Sequence, residues 1–147
     1  MKLILYFLRM RIKKLLDHKG LWLALGVLYV GIITALSLAR LILNPLLHEI
    51  PNSDKVGHAI AYFCFVLVWF IYFYFAKDKT WTLTKSCAVA FAFAFGYGIL
   101  MELAQGSLTT YRSPDFMDII ANTSGAILAV AVVLASKEKL ATLKTSI

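Results

Sequence analysis

Three short polar signatures interrupt an otherwise apolar chain, and their residue types could support binding or acid–base chemistry. They read D-K-V-G-H at 54–58, E-L-A-Q at 102–105 and R-S-P-D-F-M-D at 112–118. Ionisable side chains are expensive to bury in a membrane, so they usually face the interior of a helix bundle and carry function. The three signatures are therefore the first candidates for a functional site.

Helical spacing would align the polar side chains of each signature. Residues three or four apart share a helix face, and Asp54, His58 and Tyr62 follow one another at intervals of four. Glu102 and Gln105 are three apart. The predicted ligand-binding residues, all in or near these signatures, are Asp54, Lys55, His58, Tyr62, Glu102, Gln105, Arg112, Asp115, Asp118 and Asn122.

A histidine beside carboxylates permits more than one chemistry. His58 could act as a general base, with Glu102 or Asp118 orienting it or serving as a second acid. The same three side chains would also be a nitrogen and oxygen ligand set for zinc or a harder divalent ion. The structural alternative is a scaffold of hydrogen bonds that only holds helices together. No H-E-x-x-H or G-x-S-x-G motif occurs, so the three remain catalytic candidates, and we predict no cofactor and no bound metal.

The elements that must position these residues are membrane-spanning helices. Of the 147 residues, 61% are hydrophobic and the mean hydropathy is +0.77, whereas soluble domains are about 45–50% apolar. The excess lies in long uncharged blocks close to the roughly 20 residues that cross a bilayer. We predict an all-α polytopic membrane protein with a single domain, residues 1–147. Its four transmembrane helices are expected at about 21–39, 56–76, 86–104 and 118–136.

The N-terminal arm has two interpretations. Leu5, Leu8, Ile12 and Leu15 recur at helical spacing, and basic residues occupy the other side. This pattern over residues 3–16 favours an amphipathic interfacial helix that lies on anionic lipid. Alternatively, the arm is only the positive flank that orients the first span.

Lysine and arginine are distributed unevenly between the two ends of the spans. Twelve of the 15 lie in the N-terminal arm, the loop after the second span and the C-terminal tail, and three lie in the two opposite loops. The positive-inside rule then predicts that both termini are cytoplasmic and that the polar signatures lie at the outer surface of the cytoplasmic membrane. The net charge of +7 is explained by this topology. Because no basic and aromatic recognition module is present, we expect no nucleic-acid partner.

The fourth span carries signals for its start and for close packing. Ser113 is the predicted N-cap, with Pro114 as the first helical residue. Ala121, Gly125 and Ala129 form a series of small residues at intervals of four, which favours close approach of another helix.

The two cysteines, Cys64 and Cys87, lie inside different predicted spans. Their expected depths differ by more than the reach of a disulfide. We therefore predict buried free thiols.

Together, the signatures resemble the VanZ-like family of small bacterial membrane proteins. The matching elements are D-K-x-x-H-x-x-x-Y-F from Asp54, E-x-x-Q from Glu102, and Arg112 followed by D-x-x-x-N-x-x-G from Asp118. The resemblance covers roughly residues 52–135, and one departure is an alanine at 129, where many relatives carry a second glycine. It implies a bacterial envelope protein. It also implies a link to glycopeptide antibiotic resistance, because the founding member is associated with resistance to teicoplanin.

The predicted function is a polar pocket, open to the outer face, that binds or modulates the headgroup of a membrane lipid or a lipid-linked cell-wall precursor. Lys55 and Arg112 would contact phosphate, and the surplus of carboxylates favours a zwitterionic or amine-bearing headgroup. The alternative is an intramembrane enzyme that modifies a lipid headgroup or ester with His58 and Glu102 or Asp118. Proton or ion transport is disfavoured because the inner halves of the spans lack a polar relay. A homo-oligomer is left open.

Overall fold

Helices make up nearly all of the chain that is described structurally. A computed structural model describes residues 10–12, 14–38, 53–77, 80–109 and 114–145, and these ranges contain no strand. The all-α prediction is confirmed. In chain order the helices are α1 (Lys19–Leu38), α2 (Ser53–Ile71), a π-helical segment that continues it (Tyr72–Lys77), α3 (Leu83–Leu108), α4 (Phe116–Ala135) and the short α5 (Lys137–Thr145).

Four helices are long and apolar enough to cross a membrane: Lys19–Leu38, Ser53–Lys77, Leu83–Leu108 and Phe116–Ala135. This confirms the four predicted spans. Each helix begins two or three residues before its predicted start, because polar residues at the membrane boundary still join the first helical turn.

Side-chain caps define where α3 and α4 begin. The Thr82 hydroxyl accepts a hydrogen bond from the Lys85 backbone N–H at 3.2 Å. The Asp115 carboxylate accepts one from the Met117 N–H at 2.8 Å, which makes Asp115 the N-cap of α4. The prediction that Pro114 is the first helical residue after a Ser113 cap was therefore wrong. Aspartate caps a helix as well as serine does, and this one lies two residues further along the chain.

The described part of the N-terminal arm is helical at residues 10–12 and 14–16. Leu16 packs against the core, and the Trp22 indole N–H donates to the Leu15 carbonyl at 3.0 Å. The predicted N-terminal helix is confirmed over this stretch, whereas its placement at an interface stays a prediction.

The core is aromatic and centres on α2. Phe65 is fully buried. Its ring lies 6.3 Å from that of Tyr29 on α1, 5.2 Å from that of Phe93 and 5.5 Å from that of Tyr97 on α3. Van der Waals packing of this kind holds membrane helices together, because lipid removes most of the hydrophobic drive between them.

On its other side, α2 meets α4 at a glycine. A Cβ added to Gly125 would lie 2.7 Å from the Ala59 carbonyl carbon and 2.9 Å from its Cα, so the two backbones touch and no side chain fits. The predicted close packing of the fourth span is confirmed at this position. Ala129, the next small residue of the same series, is fully buried as well. The contact brings the polar starts of α2 and α4 side by side.

Both cysteines are free thiols, Cys87 buried and Cys64 half-buried. The predicted absence of a disulfide between them is confirmed. Cys64 is more accessible than expected, because only part of its helix face is covered by neighbouring helices.

Candidate functional site

Lys55, in the first turn of α2, joins α2 to α4 through carboxylates. Its Nζ lies 2.5 Å from Asp115 Oδ2, 2.5 Å from Asp118 Oδ1 and 3.2 Å from Asp54 Oδ2. The hydrogen bond from Lys55 lowers the pKa of Asp115 because it stabilises the ionised carboxylate. The lysine charge is thus already balanced by protein carboxylates.

The cluster has an exposed layer and a buried layer. The side chains of Asp54 and Asp115 are 54% and 44% exposed, whereas that of Asp118 is only 9% exposed. We call the outer layer, Asp54, Lys55 and Asp115, the acidic rim. We call the inner layer, His58, Glu102, Asp118 and Asn122, the polar floor.

His58 lies between two side chains of α4. Its Nδ1 is 3.1 Å from Asn122 Oδ1, and its Nε2 is 3.4 Å from Asp118 Oδ2. The carboxamide oxygen of Asn122 can only accept, so Nδ1 carries the hydrogen of that bond. The imidazole is held at both ring nitrogens.

Glu102 connects α3 to the start of α4. It is 2% exposed, and its Oε2 accepts a hydrogen bond from the Asp115 backbone N–H at 3.1 Å. A buried carboxylate requires such a partner, since an isolated ionised carboxylate is very costly to bury. The sequence predicted Glu102 but not its backbone donor, because a peptide N–H leaves no residue-type signal. An N-cap predicted at Asp115 would have been the only sign, because backbone N–H groups at the start of a helix are available to side-chain acceptors.

The floor brings together donor atoms from three helices. One ligand atom each from His58, Glu102 and Asp118 lies within 4.8 Å of the other two. These are the three catalytic candidates that the sequence suggested, and the structure places them in one group.

Tyr62 lies one turn deeper than His58 on α2. It is 2% exposed, and its hydroxyl has no hydrogen-bond partner among the residues that are described. A Cβ added to Gly98 would lie 3.2 Å from the Tyr62 ring and 3.4 Å from Asn122 Nδ2, so this glycine makes room for both side chains.

Of the two remaining predicted site residues, one lies outside the cluster and the other lies outside the described ranges of the chain. Gln105 is 2% exposed, and its amide donates to the Ser37 carbonyl at 3.1 Å, which joins α3 to α1. Arg112 lies outside the described ranges of the chain.

Within the described part of the cluster, four carboxylates (Asp54, Glu102, Asp115 and Asp118) accompany a single lysine, Lys55. This excess of negative charge suits a cationic ligand, such as an ammonium group or a metal ion. A shallow depression lined by Glu138, Lys139, Thr142 and Leu143 lies on α5, at the far end of α4 from the cluster.

The comparisons with known proteins give one family match. The model of the VanZ/LLP1 family matches residues 1–137. No curated protein and no solved structure matches the chain.

Proposed function

Because the chain belongs to the VanZ/LLP1 family, we propose that it is an envelope membrane protein that binds the headgroup of a membrane lipid or a lipid-linked cell-wall precursor. The single observation that carries the proposal is the surplus of carboxylates at the end of the bundle formed by α2, α3 and α4. The headgroup would be zwitterionic or amine-bearing.

The acidic rim supports contact with a headgroup ammonium. The two carboxylates of the rim, Asp54 and Asp115, are the most exposed carboxylates of the cluster. Both lie at helix starts, at the boundary of the predicted spans. Charge-assisted hydrogen bonds from an ammonium to carboxylates are about twice as strong as neutral ones. Lys55 already has three carboxylate partners, so an anion alone would have to compete with them.

We place this end of the bundle at the outer face of the cytoplasmic membrane, with both termini inside. The distribution of lysine and arginine along the chain supports this orientation. Arg112, which precedes α4, would then contact the headgroup phosphate.

The test is to identify which lipids stay bound to the purified protein. The full chain is exchanged into vesicles of equal phosphatidylethanolamine and phosphatidylglycerol, extracted in mild detergent and analysed by native mass spectrometry. We expect phosphatidylethanolamine to be enriched on the wild type. We expect the enrichment to be lost in the double variant Asp54→Asn, Asp115→Asn, in which asparagine still caps α4.

The control variant is Glu138→Gln, which removes an exposed carboxylate from α5. It should retain the enrichment. Equal retention of the two lipids by the wild type, or enrichment that survives in the double variant, would exclude the rim as an ammonium site.

A second function, catalysis on a lipid headgroup or ester, is favoured by the geometry of His58. Asn122 fixes its Nδ1, so Nε2 would be the basic nitrogen once a substrate came between it and Asp118. Incubation with a total envelope-lipid extract should then give a new or depleted lipid species that is absent with His58→Ala. If the lipid is retained unchanged, the binding role stands alone.

The headgroup proposal extends to antibiotic susceptibility. A protein that holds the headgroup of a lipid-linked cell-wall precursor would alter how a glycopeptide reaches it. Expression in a susceptible bacterium should raise the inhibitory concentration of teicoplanin, and Asp118→Asn at equal membrane abundance should not. If the two have equal effects, the cluster has no part in resistance.

A further inference from the structure

We propose that His58, Glu102 and Asp118 bind one divalent metal ion in the polar floor, through an imidazole nitrogen and two carboxylate oxygens. The site lies beneath the acidic rim and goes beyond headgroup binding. Its test needs no lipid.

The spacing of the donor atoms suits a single ion. Zinc bonds to histidine nitrogen and carboxylate oxygen are about 2.0–2.2 Å long, so two donors on one tetrahedral ion lie about 3.3–3.6 Å apart. The three donors here lie within 4.8 Å of one another. An inward movement of up to about 1 Å would complete the set, which rotation about side-chain torsions can supply.

The hydrogen bond of His58 leaves its second nitrogen facing a carboxylate. With Nδ1 bonded to Asn122, the other ring nitrogen, Nε2, lies 3.4 Å from Asp118 Oδ2. This separation is long for a direct hydrogen bond and close to that of two donors on one tetrahedral zinc ion. A metal ion between the two atoms would bind both, through the neutral imidazole that metals require.

Each of the three donors is held in place by a further group. Asn122 orients the His58 ring, and Lys55 donates to Asp118 Oδ1, which leaves Oδ2 toward the histidine. The Asp115 backbone N–H donates to Glu102 Oε2. Metal-binding histidines and carboxylates in proteins are oriented by such outer partners.

Tyr62 gives an independent indication of a ligand in the floor. Its hydroxyl is buried without a hydrogen-bond partner among the described residues, and its ring lies beside Gly98 together with Asn122 of the floor. An unsatisfied buried hydroxyl is unfavourable. A water molecule on the metal ion would give this hydroxyl a partner.

The donor set indicates the class of metal. One imidazole with two carboxylates suits zinc or manganese, whereas copper(I) and iron–sulfur clusters prefer thiolates. We therefore use Zn²⁺ as the main probe and Mn²⁺ as the second.

The experiment measures metal bound to the full chain without an affinity tag. The protein is purified in detergent, stripped with a chelator, equilibrated with Zn²⁺, desalted and assayed by elemental mass spectrometry. We expect about one ion per chain and a loss of binding in His58→Ala, Glu102→Gln and Asp118→Asn. Asn122→Ala keeps all three ligands and should weaken binding by about 10- to 100-fold.

Two control variants lie outside the floor. Glu138→Gln removes an exposed carboxylate of α5, and His18→Asn removes an exposed histidine while leaving a side-chain acceptor for the Leu21 N–H. Both should bind zinc like the wild type. Circular dichroism and gel filtration check the fold of every variant.

The proposal is overturned if the wild type binds neither Zn²⁺ nor Mn²⁺. It is also overturned if folded Asp118→Asn and Asn122→Ala bind like the wild type. Electron paramagnetic resonance of the Mn²⁺ form gives a second readout, because ligation by His58 nitrogen should disappear in His58→Ala. Loss of lipid selectivity would leave these results unchanged, so headgroup binding and the metal site can fail separately.

Discussion

Lys55 balances the charge of the polar cluster, and much of the contact between the starts of α2 and α4 depends on it. Its ammonium lies between Asp115 and Asp118, which would otherwise repel each other. Removing one partner from a buried ion pair costs about 3–5 kcal/mol. Lys55 is 23% exposed and Asp115 44% exposed, so solvent screening reduces the cost here.

We expect Lys55→Met to lower the free energy of unfolding by about 2 kcal/mol, below the fully buried case because the pair is partly exposed. The measurement is chemical denaturation in detergent, followed by circular dichroism. Lys55→Arg keeps the charge and should recover most of the stability. Lys139→Met, on the exposed side of α5, is the control and should unfold like the wild type. A stable Lys55→Met protein would mean that the carboxylates find other partners.

The pH dependence of this contact has a definite sign. Lys55 lowers the pKa of Asp115 in the folded protein, so the contribution is present above the pKa of the unfolded chain and is lost as the pH falls through the folded value. With an unfolded pKa of about 3.9, the loss occurs below about pH 4. Unfolding of the wild type and Lys55→Met should converge in that range. A constant difference between them down to pH 2 would contradict this assignment.

Spacing along the chain predicted some side-chain directions better than others. Asp54 and His58 are four residues apart and do point to the same cluster. Glu102 and Gln105 are three apart, and at 3.6 residues per turn their directions differ by about 60°. That angle is enough for Gln105 to reach Ser37 on α1 while Glu102 faces α4. The sequence does not contain the position of α1, so this divergence could not be predicted.

Among the elements, the contact between α2 and α4 determines whether the cluster forms. Gly125 allows the α4 backbone to touch Ala59. We expect Gly125→Ala to destabilise the protein by about 1–3 kcal/mol, as overpacking does. It should also separate His58 from Asp118 and so reduce zinc binding.

The matched control is Gly96→Ala on α3, where an added Cβ meets nothing within 4 Å. Unfolding midpoints and bound zinc of the two variants are compared in the same detergent. Gly96→Ala should resemble the wild type or be slightly more stable, because alanine favours helix. Equal behaviour of the two variants would show that α4 can shift without loss.

Helix existence could be predicted, but helix ends and irregular turns could not. Apolar length alone predicted four spans, and each one is present. The π-helical segment Tyr72–Lys77 has no signal in the sequence, because π-helical turns are rare and no residue pattern marks them. The start of α4 was misplaced because Ser113 and Asp115 are both good caps, and the contact of Asp115 with Lys55 is tertiary.

Across the whole molecule, charge is separated between the two ends of the bundle. Carboxylates dominate the cluster end, whereas lysines lie at the other end against aromatic rings. Lys85 is 4.4 Å from the Trp81 ring centre and Lys144 is 4.1 Å from that of Tyr74. The sequence predicted this separation of charge. It depends on where charged residues occur along the chain, and the packing of the helices need not be known.

The proposed orientation is tested by cysteine labelling of intact bacterial cells. Ser107→Cys lies near the cluster and Lys139→Cys at the opposite end, and both positions are exposed. Cys64 and Cys87 are first replaced by alanine. A maleimide that does not cross membranes should label Ser107→Cys directly and Lys139→Cys only after permeabilisation. The reverse pattern would put the cluster in the cytoplasm.

The backbone contact at Gly125 also limits how the floor can exchange its contents. Because α2 and α4 touch there without intervening side chains, they are expected to move as one body. The third side of the floor is α3, whose Gly106 packs directly against the Pro114 ring just before α4. An ion or a headgroup that enters without parting the touching backbones would therefore come through the exposed rim or along α3.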